Sequence, residues 1–169
     1  MNAALEAWNQ ADETAAFDAM IACCGASRWA SAMVALRPIS SVLELSEAAD
    51  RVWGTMTEPD WIQAFACHPR IGEGKAAHAV AKSAAWSRQE QSTAAGSAEE
   101  VMAEIAAGNS LYEERYGFTY IVCATGKSAE ELLAILKRRL ASNREAELRE
   151  AAEQQRQITQ IRLGKWLVE

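Results

Sequence analysis

Apolar residues recur along most of this chain at steps of three and four, the spacing that lines one face of an α-helix. From Thr14, the positions Phe17, Met20, Ile21 and Cys24 keep that spacing, and Gly25 follows where a C-terminal cap belongs. Ser27 opens a second helix carrying Trp29, Met33 and Leu36, and Arg37-Pro38 stops it because proline disfavours helical geometry in the residue before it. Ser41-x-x-Glu44 has the form of a capping box, in which a serine hydroxyl and a glutamate carboxylate each bond the other's backbone amide. Val42, Leu45, Ala49, Val52, Trp53 and Met56 then repeat as the face of a third helix, weakened at its end by Gly54. Thr57 with Glu58, Pro59 and Asp60 starts a fourth, with Trp61, Ile62 and Phe65 turned inward and His68-Pro69 as its stop.

Beyond that stop, Ile71 to Gly74 reads as a turn before an Ala-rich segment around Ala76 to Ala85. Ser87-x-x-Glu90 and Ser97-x-x-Glu100 repeat the capping pattern, the second opening a helix through Val101, Ile105 and Leu111. Phe118 to Cys123 then breaks the helical period with a short aromatic and β-branched run. No second convincing strand exists to pair with it, so it reads as buried extended chain or distorted helix. Ser128-x-x-Glu131 begins a helix with Leu132, Leu133, Leu136 and Leu140, and a long helix from about Asn143 to Trp166 follows. The pattern predicts an all-α, single-domain bundle of about eight helices, with one buried extended or distorted segment near residues 118–124. No internal repeat or linker marks a second domain.

Composition sharpens this picture only in places. A chain of 169 residues, 50% of them hydrophobic, has enough apolar side chains for one self-sufficient core. The net charge of -6 repels a phosphate backbone or an anionic membrane on average, so neither nucleic acid nor membrane is an expected partner. The four cysteines, Cys23, Cys24, Cys67 and Cys123, lack the paired spacing that zinc sites use and read as core thiols in a reducing compartment. No metal is expected. The first residues carry no signal-peptide pattern and no run of roughly eighteen apolar residues occurs, so a cytoplasmic location is the expectation.

His68 and His78 are the two histidines, and imidazole is the side chain that most readily exchanges a proton near neutral pH. His68, forced out of helical geometry before Pro69, sits where a helix's negative dipole end favours the imidazolium and suits a proton donor. A packed histidine at a helix stop is the alternative, and for His78 the plain structural reading is preferred. Glu90, with Ser87, is explained by a capping box or by a helix N-terminus facing a polar ligand. Arg162 falls between Ile158 and Trp166 in the inward arc of the last helix at 100° per residue. A guanidinium there needs an internal carboxylate or a bound acidic substrate. Lys165 shares the arc but can reach outward, and the six tryptophans read as core.

Several motifs fall together in order: Cys23-Cys24-Gly25 with Trp29, Arg37-Pro38, the run Ala64 to Gly72 containing Cys67-His68-Pro69-Arg70, and Trp86-Ser87 with Glu90-Gln91. Asn109 with Tyr112-Glu113, Tyr116-Gly117-Phe118 running into Ile121 to Gly126, and Ile161-Arg162-Leu163 complete the set. This ordered set resembles the 2-oxo-4-hydroxy-4-carboxy-5-ureidoimidazoline (OHCU) decarboxylase family from about Phe17 to Trp166. Tyr116 stands where the family pattern usually has Phe. The resemblance implies one decarboxylase domain over residues 1–169, working without metal or organic cofactor on a small anionic ureidoimidazoline, with a homodimer as the implied assembly. It implies His68 as catalytic proton donor and Glu90 as its acidic companion. Pro69, Ser87, Arg88, Gln89, Glu90, Gln91, Ile121, Val122, Cys123, Ala124 and Arg162 are implied to line the substrate site. The rival readings are an all-helical interaction module without catalysis, and a His/Glu hydrolase or a cysteine-dependent enzyme.

Overall fold

The computed structural model describes residues 2–71, 81–92 and 99–169. Among them the regular elements are nine α-helices and no strand, in agreement with the all-α expectation. They run α1 (Ala3–Gln10), α2 (Glu13–Cys23), α3 (Ser27–Ala35), α4 (Val42–Trp53) and α5 (Glu58–Phe65). After these come α6 (Ala81–Glu90), α7 (Glu99–Tyr116), α8 (Ala129–Leu140) and α9 (Arg144–Trp166). None of the described helices is long and apolar enough to cross a membrane. His78, the turn glycines Gly72 and Gly74, the first half of the Ala-rich segment and Ser97 lie outside the described residues.

The chain forms two compact units, Met1–Ala64 with Arg156–Glu169, and Phe65–Gln155. In the first, α2 packs against both α1 and α3, and α3 against α4. Trp29 is fully buried, and its indole donates to the Ala49 carbonyl at 3.1 Å, tying α3 to α4. Gln160 donates to Asp50 Oδ1 at 2.7 Å and to the Ser46 carbonyl at 2.9 Å, and Arg156 meets Asp50 Oδ2 at 3.1 Å, so the second half of α9 is fastened to α4. The unpredicted helix is α1: Asn2 Oδ1 accepts from the Leu5 amide at 3.1 Å, Leu5 and Trp8 are buried, and Arg37 donates to the Trp8 and Ala11 carbonyls at 2.7 and 2.8 Å. A cap at each end and two inward residues suffice to stabilise a short helix once it is packed.

Three local expectations change here. Gly25 supplies no left-handed cap, because positive φ among the described glycines occurs only at Gly117 and Gly126; α2 ends instead where Cys24 turns extended, at φ -145. Ser27 is the first helical residue rather than the cap; Ala26 caps α3 without a side chain, while Gln63 accepts from the Ser27 amide at 3.0 Å and donates to its hydroxyl at 2.6 Å. Val42 and Leu36, assigned to inward faces, are exposed, since each lies at a helix end where the buried arc is not yet or no longer covered.

In the second unit α7 packs along α8. Gly108 lets them close, for a Cβ there would stand 2.6 Å from Cδ2 of the fully buried Leu136. Gly117, at φ +82, ends α7 and donates its N–H to the Glu113 carbonyl at 2.8 Å, after which the chain runs extended through residues 119–124. This segment is buried, as expected, and Phe118 packs against Phe65 at 5.5 Å and Tyr112 at 5.7 Å between ring centres.

Candidate active site

His68 follows α5 by one irregular turn, closed by its own amide donating to the Phe65 carbonyl at 3.1 Å, and Pro69 prevents the helix from resuming. Its ring is half-buried, with Nε2 2.7 Å from Oε1 of Gln155 on α9. Gln155 is wholly buried. Two residues on, the guanidinium of Arg70 forms a two-pronged contact with the Glu113 carboxylate of α7, its Nε donating to Oε1 at 2.7 Å. The stretch 68–70 is thus fastened to α9 at one end and to α7 at the other, while Pro69 and Ile71 are buried.

The extended segment is held by side chains instead of a partner strand. The Cys123 amide donates to Oε1 of Gln154 at 2.8 Å, and Lys127 Nζ donates to the Cys123 carbonyl at 2.7 Å. Arg139 Nη1 donates to the Ile121 carbonyl. Ile121, Val122, Cys123 and Ala124 are all buried. Arg139, 1% exposed, also meets Glu147 at 2.6 Å and the Tyr112 hydroxyl at 3.2 Å, and it stacks over the Tyr112 and Tyr120 rings at 5.6 and 5.0 Å. Burial pushes both phenols well above their usual range. Burial also works against the Arg139 cation, but Tyr112, Glu147 and Tyr120 outweigh it and keep the guanidinium protonated.

Ser87 and Glu90 do not open a helix. They occupy the last turn of α6, with the Gln91 amide donating to the Ser87 carbonyl at 3.2 Å, so the capping-box reading and the anion-attracting N-terminus both fail. The three-residue spacing of a capping box is also the spacing of neighbours on one helix face, and here it is the latter. Ser87 and Glu90 are buried with Ser83 and Trp86, whereas Arg88 and Gln89 are exposed and Gln91 is half-buried. Arg162 lies in the other unit from His68 and Glu90 and is 1% exposed, which agrees with its place in the inward arc of α9.

Gln154, Gln155 and Arg139 were missed in the sequence. A signal existed for two of them: Gln155 precedes Arg162 by seven residues, hence falls on the same face of α9, and Arg139 continues the Leu132 and Leu136 stripe. Among the described residues no disulfide forms; Cys23, Cys24 and Cys123 are buried thiols and Cys67 is half-buried. No group of three His, Cys, Asp or Glu side chains there could hold a metal ion.

Residues 9–164 match the family model described as OHCU decarboxylase. The chain is 35% identical over 144 residues to the uric acid degradation bifunctional protein TTL of Arabidopsis thaliana, covering 85% of this chain and 44% of that protein. It is 26% identical over 129 residues to the 2-oxo-4-hydroxy-4-carboxy-5-ureidoimidazoline decarboxylase of Haloferax volcanii, covering 76% of this chain and 74% of that one. A crystal structure of OHCU decarboxylase in the presence of (S)-allantoin superposes with a TM-score of 0.78 at 32% identity, covering 90% of this chain and 99% of that one. The chain therefore spans less than half the length of the Arabidopsis thaliana relative.

Proposed function

The chain belongs to the OHCU decarboxylase family, and from that premise we propose that it releases CO2 from 2-oxo-4-hydroxy-4-carboxy-5-ureidoimidazoline to give (S)-allantoin, a step of urate breakdown. The observation that carries this reading is the likeness, over nearly its whole length, to the decarboxylase crystallised in the presence of (S)-allantoin. Residues 1–169 act as one decarboxylase domain, since a single family match runs across both compact units.

The reaction breaks the bond between the hydroxyl-bearing carbon and its carboxylate, and the electron pair left behind moves into the neighbouring ring C=N. An enol-type intermediate forms, and a proton delivered to carbon completes the exchange of CO2 for H. The substrate is its own electron sink, so the reading includes no cofactor. The protein supplies orientation, charge stabilisation and a proton. His68 donates the proton, with Glu90 as its acidic companion. Arg162 meets the substrate's negative charge, and Pro69, Ser87 to Gln91 and Ile121 to Ala124 line the site. The reducing-compartment reading of the thiols supports a cytoplasmic enzyme; the homodimer rests on family likeness alone.

The test is to generate substrate freshly and follow its ultraviolet loss against protein concentration. A first-order rate constant that rises linearly with protein is expected. A rate equal to the spontaneous one at every concentration would leave the interaction-module reading in its place.

A further inference from the structure

The contact between Gln155 and His68 gives Gln155 a role that the proposed reaction has not used. Nε2 of His68 lies 2.7 Å from Oε1 of Gln155. A carbonyl oxygen can only accept, so the bond requires a proton on Nε2. We propose that Gln155 is the positioning residue for His68, holding the ring in one orientation with Nε2 protonated so that the proton exchanged during the reaction is the one at Nδ1. This rests on the reading of His68 as proton donor.

Three features carry the proposal. His68 stands past the end of α5 and ahead of Pro69, outside any helix, so the ring's direction is not set by helical geometry and depends on what its nitrogens meet. Gln155 is the opposite: mid-helix in α9 and wholly buried, it offers an acceptor whose place is fixed by the helix. Its neighbour Gln154 accepts from the Cys123 amide at 2.8 Å, so one turn of α9 sets both the histidine and the extended segment proposed to line the site.

The chemistry of the partner matters as much as its position. A carboxylate at this distance would stabilise the imidazolium and retain the proton. An amide orients the ring without adding a charge, which suits a donor that must give its proton up. The second-sphere carbonyl bonds that fix the tautomer of other functional histidines act on the same principle.

The experiment compares Gln155→Met, which keeps length but removes the acceptor, with Gln155→Glu, which keeps the acceptor. Imidazole nitrogen shifts are read at a pH where the ring is neutral; His68→Asn assigns the two histidine signals and His78 is the internal reference. Wild type and Gln155→Glu should both show the Nε2-protonated form at His68. Gln155→Met should lose that preference, and its kcat should fall roughly ten- to a hundredfold while KM stays within about threefold, as for a group that aims a catalyst rather than binding substrate. A wild-type His68 spectrum in Gln155→Met overturns the proposal, as does a KM change with intact kcat. Should Gln155→Met not fold, a Gln155→Glu spectrum lacking the Nε2-protonated form overturns it equally. A fully active His68→Asn would sink the catalytic reading of His68, and hence any role for Gln155 in catalysis, while the spectra would still decide the contact itself.

Discussion

Arg139 shows what a single buried charge demands of its surroundings. Its guanidinium is taken out of water and compensated by Glu147, the Tyr112 hydroxyl and the Ile121 carbonyl, with the Tyr112 and Tyr120 rings close by. Removing one partner strands the other, so Arg139→Met should destabilise the protein by about 3–5 kcal/mol, and Arg139→Met with Glu147→Leu by clearly less than the single change. Urea unfolding of both variants checks this; equal losses would mean that the pair is not coupled. His68 is a different case, half-buried at the surface of the unit. His68→Asn should keep the helical circular dichroism of the wild type while turnover drops by about 10^2 to 10^4-fold. Near wild-type turnover in the folded variant would remove His68 from the chemistry. At this scale the sequence was readable wherever a polar residue interrupted an apolar arc, as at Arg162. The same rule applied to α8 and α9 points at Arg139 and Gln155. What periodicity does not contain is the partner: it places a side chain inward, but which of several carboxylates or carbonyls it meets depends on helices distant in sequence.

At the scale of elements, α4 begins with a shared cap. Ser41 Oγ accepts from the Glu44 amide at 3.1 Å, as a capping box requires, but the Glu44 carboxylate accepts from the Ser40 amide at 2.8 Å and its hydroxyl at 2.5 Å, one residue earlier than the motif predicts. Those Ser40 bonds, side chain first, hold the carboxyl below its ordinary value of 4.5. A depressed folded-state value means that the ionised form is the stabilising one. The advantage of wild type over Glu44→Gln should therefore be complete above that ordinary value and fade as pH falls through the lowered one, a difference visible in melting curves taken from neutral to acid pH. Where α7 meets α8, Gly108→Ala gains helix propensity of about 1 kcal/mol but forces the buried Leu136 aside. Overpacking of about 1–3 kcal/mol should prevail, and Leu136→Ala should cost less in the Gly108→Ala background than in wild type, a coupling that the melting temperatures of the two single variants and the double one would show. Helices with several inward residues, α2 to α5 and α7 to α9, were legible from period, and α4 and α8 from their Ser41 and Ser128 caps as well. The extended segment was legible as a break in period, and in place of a partner strand Arg139, Gln154 and Lys127 satisfy the Ile121 carbonyl and the Cys123 amide and carbonyl from side chains. The α6 terminus was misread because i and i+3 neighbours look alike at the start and at the end of a helix.

The proposed reaction demands of the whole molecule what no single residue can supply, a handed environment for a planar intermediate. A chain of net charge -6 does not gather an anionic substrate by its overall field, so in the proposed reading recognition falls to local charge, Arg162 first. In that reading the groups that hold the ring also decide from which side the proton arrives. Any loss of CO2 in water unaided adds a spontaneous component to the disappearance of substrate, but handedness has none. The free intermediate is protonated on either face and gives racemic allantoin, whereas a ring held by one face presents the other to His68. The protein should therefore yield (S)-allantoin, with an enantiomeric excess that rises with enzyme concentration as catalysed turnover overtakes the spontaneous reaction. His68→Asn and Glu90→Gln should move the product toward racemic in proportion to the share of turnover that escapes the enzyme. Circular dichroism of the product, followed beside ultraviolet loss of substrate at several enzyme concentrations, measures both quantities in one sample. Racemic product at every concentration, even with accelerated loss of substrate, would mean that the fold holds no face of the ring and that the proton comes from water.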